Sequence, residues 1–160
     1  MTHGQISVVC ARTLHNAFIL SSLRGSNVLE CGDLLGGMYL AQADDLSKYW
    51  DGHDGFTRLI QSEERLTEAI QQVRLEGIET FSALGLPFSG SSMKAQSPAM
   101  MRIFRRARAY ANARQSAGEP IIKPEDYLLA LATEPSTGLG PRILESGIDM
   151  IRLEQAVKAA

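Results

Sequence analysis

Cysteine is scarce. Cys10 and Cys31 are the only two in 160 residues; they form no CxxC pair and provide no disulfide framework. Also missing is an apolar run long enough to span a bilayer, and the chain opens without the basic, apolar and small-residue succession of a signal peptide. Ile6–Leu23 is apolar, but Arg12, His15 and Asn16 interrupt it, so it reads as a buried helix. A reducing cytoplasm is the expected compartment. An excess of one charge is lacking too: 16 Lys and Arg stand against 18 Asp and Glu, a net charge of -2. Whole-chain charge therefore asks for neither nucleic acid nor an anionic membrane surface. With 44% hydrophobic and 21% charged residues, the composition excludes an intrinsically disordered chain. The length suits one domain, or two small similar halves, burying roughly two-thirds of the unfolded surface. The charge is uneven. Residues 1–85 carry 6 basic and 11 acidic side chains and residues 86–160 carry 10 and 7, so the two parts stand at -5 and +3.

What is present is helical periodicity. Val9, Cys10, Thr13, Ala17 and Leu20 fall on one helical stripe, and Gly25 is placed to end that helix. A second helix is expected from near Asp33 through Leu40, weakened by Gly36 and Gly37, a pair that marks close approach of another helix. Asp44–Gly55 reads as a polar stretch, followed by one helical pattern from Phe56 through Val73. Gly85–Pro98 has the Gly, Ser and Pro content of a linker and lies where the charge changes sign. A helix then runs from Ala99 to about Ser116, ended by Gly118, and another opens at Pro124, with Glu125 and Asp126 favoured by the helix dipole. The pattern resumes at Ile143, breaks at Gly147 and ends with Met150, Leu153 and Val157. No β-strand is needed to account for it.

The chain also repeats itself. Laying Gly25 on Gly118, an offset of 93, puts Val28-Leu29 on Ile121-Ile122, Asp33 on Asp126 and Leu35 on Leu128. The helix before each glycine is expected to align with it. The offset then falls to 84, with Arg58-Leu59-Ile60 on Arg142-Ile143-Leu144, and to 87, with Arg65-Leu66 on Arg152-Leu153. About nine extra residues lie in the first copy, inside Gly36–Thr57. The simplest account is two divergent copies of a four-helix unit.

Leu128–Leu131, the run Ile143-Leu144-Glu145-Ser146-Gly147-Ile148-Asp149, and Ser97-Pro98 opening the second copy together resemble the N-terminal domain of the Clp (Hsp100) AAA+ unfoldases. The likeness spans roughly Ile6 to Val157 and is weaker in the first copy. It implies an all-α fold, a single Clp N-like domain over residues 1–160 with pseudo-symmetric repeats at about 6–73 and 99–158 and a linker at about 85–98. It also implies a non-catalytic docking module without a cofactor, whose partner is a peptide or protein client, a Clp/Hsp100 ATPase, an adaptor or a secretion-system component. In some members a glutamate at the start of each repeat's second helix helps hold a phosphorylated arginine. Glu125 matches that position, whereas Gly32 replaces it in the first copy, so at best half of such a site remains. Two other readings stay open: a binder that sequesters a small molecule or peptide, and a nucleic-acid-associated helical regulator.

No chemistry-bearing motif competes with docking. Gly85–Ser92 has two glycines at Walker spacing but Ser91 where the phosphate-binding lysine belongs, no GxSxG elbow occurs, and neither cysteine has a partnered histidine, so no catalytic residue and no nucleotide site is assigned. Asp51, His53 and Asp54 have metal-ligand chemistry, yet without a further ligand-rich segment they read as a polar turn. The five arginines from Arg102 to Arg114 raise nucleic acid, but Ile103 and Phe104 lie on the apolar face opposite Arg102, Arg105 and Arg106, the pattern of a solvated helix. Tyr49 and Trp50, in the longer part of the first copy, suit interface anchoring, so Ser47–Gly55 is expected to be a recognition loop. The alternative packs Trp50, the only tryptophan, into the core. Candidate protein-binding residues are therefore Tyr49, Trp50 and Glu125.

Overall fold

The structure is a computed structural model that describes residues 5–6, 8–52, 54–76, 95–114 and 121–159. Its elements run β1 (Gln5–Ile6), α1 (Val8–Leu23), β2 (Val28–Leu29), α2 (Cys31–Leu46), a 3-10 turn (Ser47–Tyr49), α3 (Gly55–Gln61) and α4 (Glu64–Glu76). The second part runs β3 (Ala95–Gln96), α5 (Pro98–Arg114), β4 (Ile121–Ile122), α6 (Pro124–Thr133), a 3-10 turn (Pro135–Thr137), α7 (Gly140–Glu145) and α8 (Met150–Lys158). The fold is all-α in character, with eight α-helices among the described residues. None of them is long and apolar enough to cross a membrane.

Helix α1 buries Cys10, Thr13, Ala17 and Leu20 completely, the stripe its spacing predicts. It ends as expected at Gly25, whose φ of 72 is readily reached only without a Cβ. There the Gly25 and Ser26 N–H groups donate to the Ser22 and Ser21 carbonyls, closing a Schellman motif. Helix α2 packs hard on α1. A Cβ on Gly37 would stand 2.9 Å from the Ala17 backbone nitrogen and closer still to the Thr13 carbonyl, which is why glycine occupies the crossing. The helix starts at Cys31 and reaches Leu46 through a kink at Gln42 (φ -149, ψ 36). Beyond the kink Leu46 is buried, and Asp44 to Leu46 are helical rather than part of the polar stretch.

Two other expectations change. The pattern over Phe56–Val73 divides into α3 and α4, because the Ser62 hydroxyl donates to the Leu59 carbonyl at 2.6 Å and caps the first helix. The six-residue step from buried Ile60 to buried Leu66 exceeds helical spacing and marks the same break. The four short strands are the second change. β1 pairs in parallel with β4 and β2 with β3, setting Gln5 opposite Ile121 and Val28 opposite Ala95. Each first strand thus pairs with the second strand of the other part. The opening strands begin at Gln5 and Ala95, so strand and first helix align at an offset of 90, not 93. Of the expected linker and breaks, residues 85–94, Ser116 and Gly118 lie outside the described residues; Ala95 and Gln96 form β3, and Pro98 opens α5.

At that offset Arg24 falls on Arg114, and both make the same buried contact. Arg24 grips Asp33 through Nε (2.8 Å) and Nη2 (2.5 Å); Arg114 grips Asp126 through Nη1 (2.7 Å) and Nη2 (2.9 Å). Each aspartate also accepts a backbone N–H three residues earlier, from Glu30 at 3.0 Å and Lys123 at 2.8 Å. One carboxylate therefore caps a helix start and anchors the end of the preceding helix. The carboxylate contact raises each guanidinium's already high pKa, so both remain charged.

Candidate functional site: a groove where the two parts meet

The 3-10 turn after α2 reaches across to the second part. Asp149 N–H donates to the Tyr49 carbonyl at 2.6 Å, Trp50 forms an antiparallel bridge with Ile148, and Arg152 Nη1 donates to the Lys48 carbonyl at 2.9 Å. The side chains follow the backbone. The Tyr49 hydroxyl donates to Glu125 Oε2 at 2.8 Å, and the Trp50 indole N–H donates to Ser146 Oγ at 2.7 Å while its ring stacks on Phe56 with centroids 4.7 Å apart. Burial, with Glu125 as acceptor, raises the Tyr49 pKa above the ordinary phenol value, so the hydroxyl stays a donor.

The three candidate residues are thus brought together, as internal contacts. Tyr49 is 2% exposed and Trp50 5%, so neither ring is presented to a partner as a loop anchor would be. Trp50 takes the core alternative because its large apolar ring finds Phe56 and its one polar atom finds Ser146. Native Trp50 emission is expected to lie blue of the unfolded chain and to resist acrylamide; a red, readily quenched signal would contradict this placement. Glu125 sits in the first turn of α6, where a carboxylate meets the positive end of the helix dipole, with the Tyr49 hydroxyl occupying its Oε2.

Above this seam lies a groove of about 550 Å³ lined by Arg58, Leu59, Ser62, Arg142, Glu145, Ser146 and Gly147. Its two sides correspond. Arg58 and Arg142 hold the same place on α3 and α7, and Ser62 and Ser146 follow as capping residues whose hydroxyls donate to the Leu59 and Ile143 carbonyls. Arg58 pairs with Asp54 at 3.3 Å, both two-thirds exposed, and Arg142 pairs with Glu63 across the junction. Sequence reasoning matched Arg58 with Arg142 but gave them no role, because nothing in the spacing shows that α3 and α7 share a groove.

No family model, curated protein or solved structure matches the chain. The site is read from its own chemistry. Burial, with Glu30 and Asp33 nearby, pushes the Cys31 thiol up to about 11, which leaves it protonated at neutral pH and a poor nucleophile. His53 lies outside the described residues, and among those described no group of three or more His, Cys, Asp or Glu side chains is placed to hold a metal. Two arginines of the α5 stripe are engaged internally: Arg114 by Asp126, and Arg106 by Glu134 at 3.0 Å. The Glu134 carboxyl is held below its ordinary range, chiefly by the Ser136 N–H and hydroxyl and further by Arg106, so that pair stays charged. This removes two of the five cations that a nucleic-acid stripe would use.

Proposed function

We propose that the chain is a Clp-N-type domain of two pseudo-symmetric four-helix repeats, acting as a non-catalytic module that docks a peptide, adaptor or substrate for a Clp/Hsp100 unfoldase. One observation carries the reading. The order strand, helix, strand, helix, 3-10 turn, helix, helix occurs twice, and the two occurrences exchange strands reciprocally. The repeated Arg–Asp pairs and capping serines support it, since matched polar contacts at matched places are what descent from one unit leaves behind. The paired strands and the seam around Trp50 join the two parts through their backbones, with a groove at the junction, an arrangement suited to holding an extended segment. An expected consequence is that the chain binds an unfolded client saturably and leaves a folded one alone. Titration into fluorescein-labelled, reduced and carboxymethylated α-lactalbumin, read by anisotropy, checks this; no saturable rise, or an equal rise with the native client, would overturn the docking reading.

A second reading, sequestration of a small molecule, rests on a cleft of about 470 Å³ between α5, α6 and α8, where Tyr110, Leu129, Thr133 and Val157 are among the lining residues. That is within the usual size of ligand pockets. A thermal-shift screen with hydrophobic ligands tests it.

A further inference from the structure

We infer that the junction groove recognises an acidic stretch of extended polypeptide, with the Arg58 and Arg142 guanidiniums each exchanging a surface carboxylate for one on the bound segment. The inference rests on the docking reading and names the chemistry of its ligand.

Three observations lead to it. First, the arginines of the fold divide into committed and exchangeable ones. Arg24 and Arg114 each spend two nitrogens on a fully buried aspartate, and Arg106 is held by Glu134, itself only 8% exposed. Arg58 and Arg142 each use one nitrogen in an exposed ion pair. Such pairs contribute little to stability, so replacing their partners costs the fold little. A bound carboxylate would gain the two-pronged geometry that neither arginine now has.

Second, the groove's other donors are turned away. The Ser62 hydroxyl serves Leu59, and the Ser146 hydroxyl donates to Ile143 while accepting from Trp50. What the groove offers a ligand is therefore two cations and a small apolar floor at Leu59, with Glu145 in the lining and Asp54 and Glu63 as the carboxylates that a ligand displaces.

Third, one arginine comes from each repeat and both line the same groove, so a ligand that engages both must cross the junction. A chain segment carrying two or more carboxylates can offer one to each side. The Trp50–Ser146 bond ties the α7 side of the groove to the first repeat.

The test uses fluorescein-labelled (Gly-Glu)5 and its uncharged counterpart (Gly-Gln)5, titrated with the full chain and followed by anisotropy in low salt and in 300 mM NaCl. The Glu peptide is expected to bind saturably, more weakly in high salt because partly exposed ionic contacts are screened, and the Gln peptide not to bind. The double variant Arg58→Gln/Arg142→Gln should weaken binding at least ten-fold. Arg105→Gln, which removes a single charge on the exposed face of α5 outside the groove, should change it less than two-fold. Both variants are surface changes, and thermal unfolding should show each folded like the parent. If the Glu peptide fails to bind, or Arg105→Gln weakens it as much as the double variant does, the assignment is overturned. Unfolded α-lactalbumin separates the two levels. If it binds the parent and the double variant equally, the groove chemistry fails and docking stands; if it binds neither, docking itself fails.

Discussion

Replacing Asp126 with alanine is expected to destabilise the fold by about 3–5 kcal/mol, the range for breaking one partner out of a buried ion pair. Asp126 is fully buried and the Arg114 side chain 4% exposed, so the substitution strands a guanidinium that water cannot reach. Arg114 also donates to the Val157 and Ile121 carbonyls, at 2.7 and 2.8 Å. The same cation therefore ties α5 to β4, α6 and α8, and the damage spreads over four elements. Asp33→Ala provides the internal comparison. Its partner Arg24 is 18% exposed and has Glu30 at 3.4 Å as a second carboxylate, so the loss should be smaller, about 1–3 kcal/mol. Urea unfolding of the two variants beside the parent checks both the size and the order. Equal, small losses would show that burial does not distinguish the pairs.

The second large effect is expected at Gly37. A valine there directs a branched side chain into the α1 backbone at Thr13 and Ala17, and overpacking of this kind costs about 3 kcal/mol or more when the obstacle cannot move. Gly36 looks equivalent in the sequence and is not. A Cβ on Gly36 meets the side-chain tips of Leu66 and Leu20, which can rotate aside. Gly36→Ala should therefore come out near neutral, the strain offset by the roughly 1 kcal/mol that alanine gains in a helix. Gly37→Ala should be destabilised despite the same gain. A thermal melt that ranks the two alanine variants the other way would contradict the close approach of α1 and α2.

Much of this was legible in the sequence. The buried stripe of α1, the stop at Gly25, the start of α6 at Pro124 and the Gly36–Gly37 contact follow from spacing and backbone preference, which are local. The strands were not, because two residues are too short to display an alternating pattern and their partners lie far away in the chain, Ile121 for Gln5 and Ala95 for Val28. The break at Ser62 was hidden by the strong apolar pattern on both sides of it. The Arg–Asp pairs escaped for a subtler reason: the aspartates align at an offset of 93 and the arginines at 90, so no single alignment displays both. Tyr49 and Trp50 stand out in the sequence as large side chains in the longer copy, but only tertiary structure decides which side of a turn faces the core, and both are buried. The groove was legible only in part. Its arginines matched across the repeat, while their meeting at one surface depends on how the two parts associate.

The proposed duplication, the seam and the groove all depend on strands exchanged between the two parts, and strand pairing is directly observable by NMR. In isotopically labelled protein, the account predicts interstrand nuclear Overhauser contacts between Gln5 and Ile121 and between Val28 and Ala95. Pairing within each part, Gln5–Ile6 against Val28–Leu29 and Ala95–Gln96 against Ile121–Ile122, would contradict it.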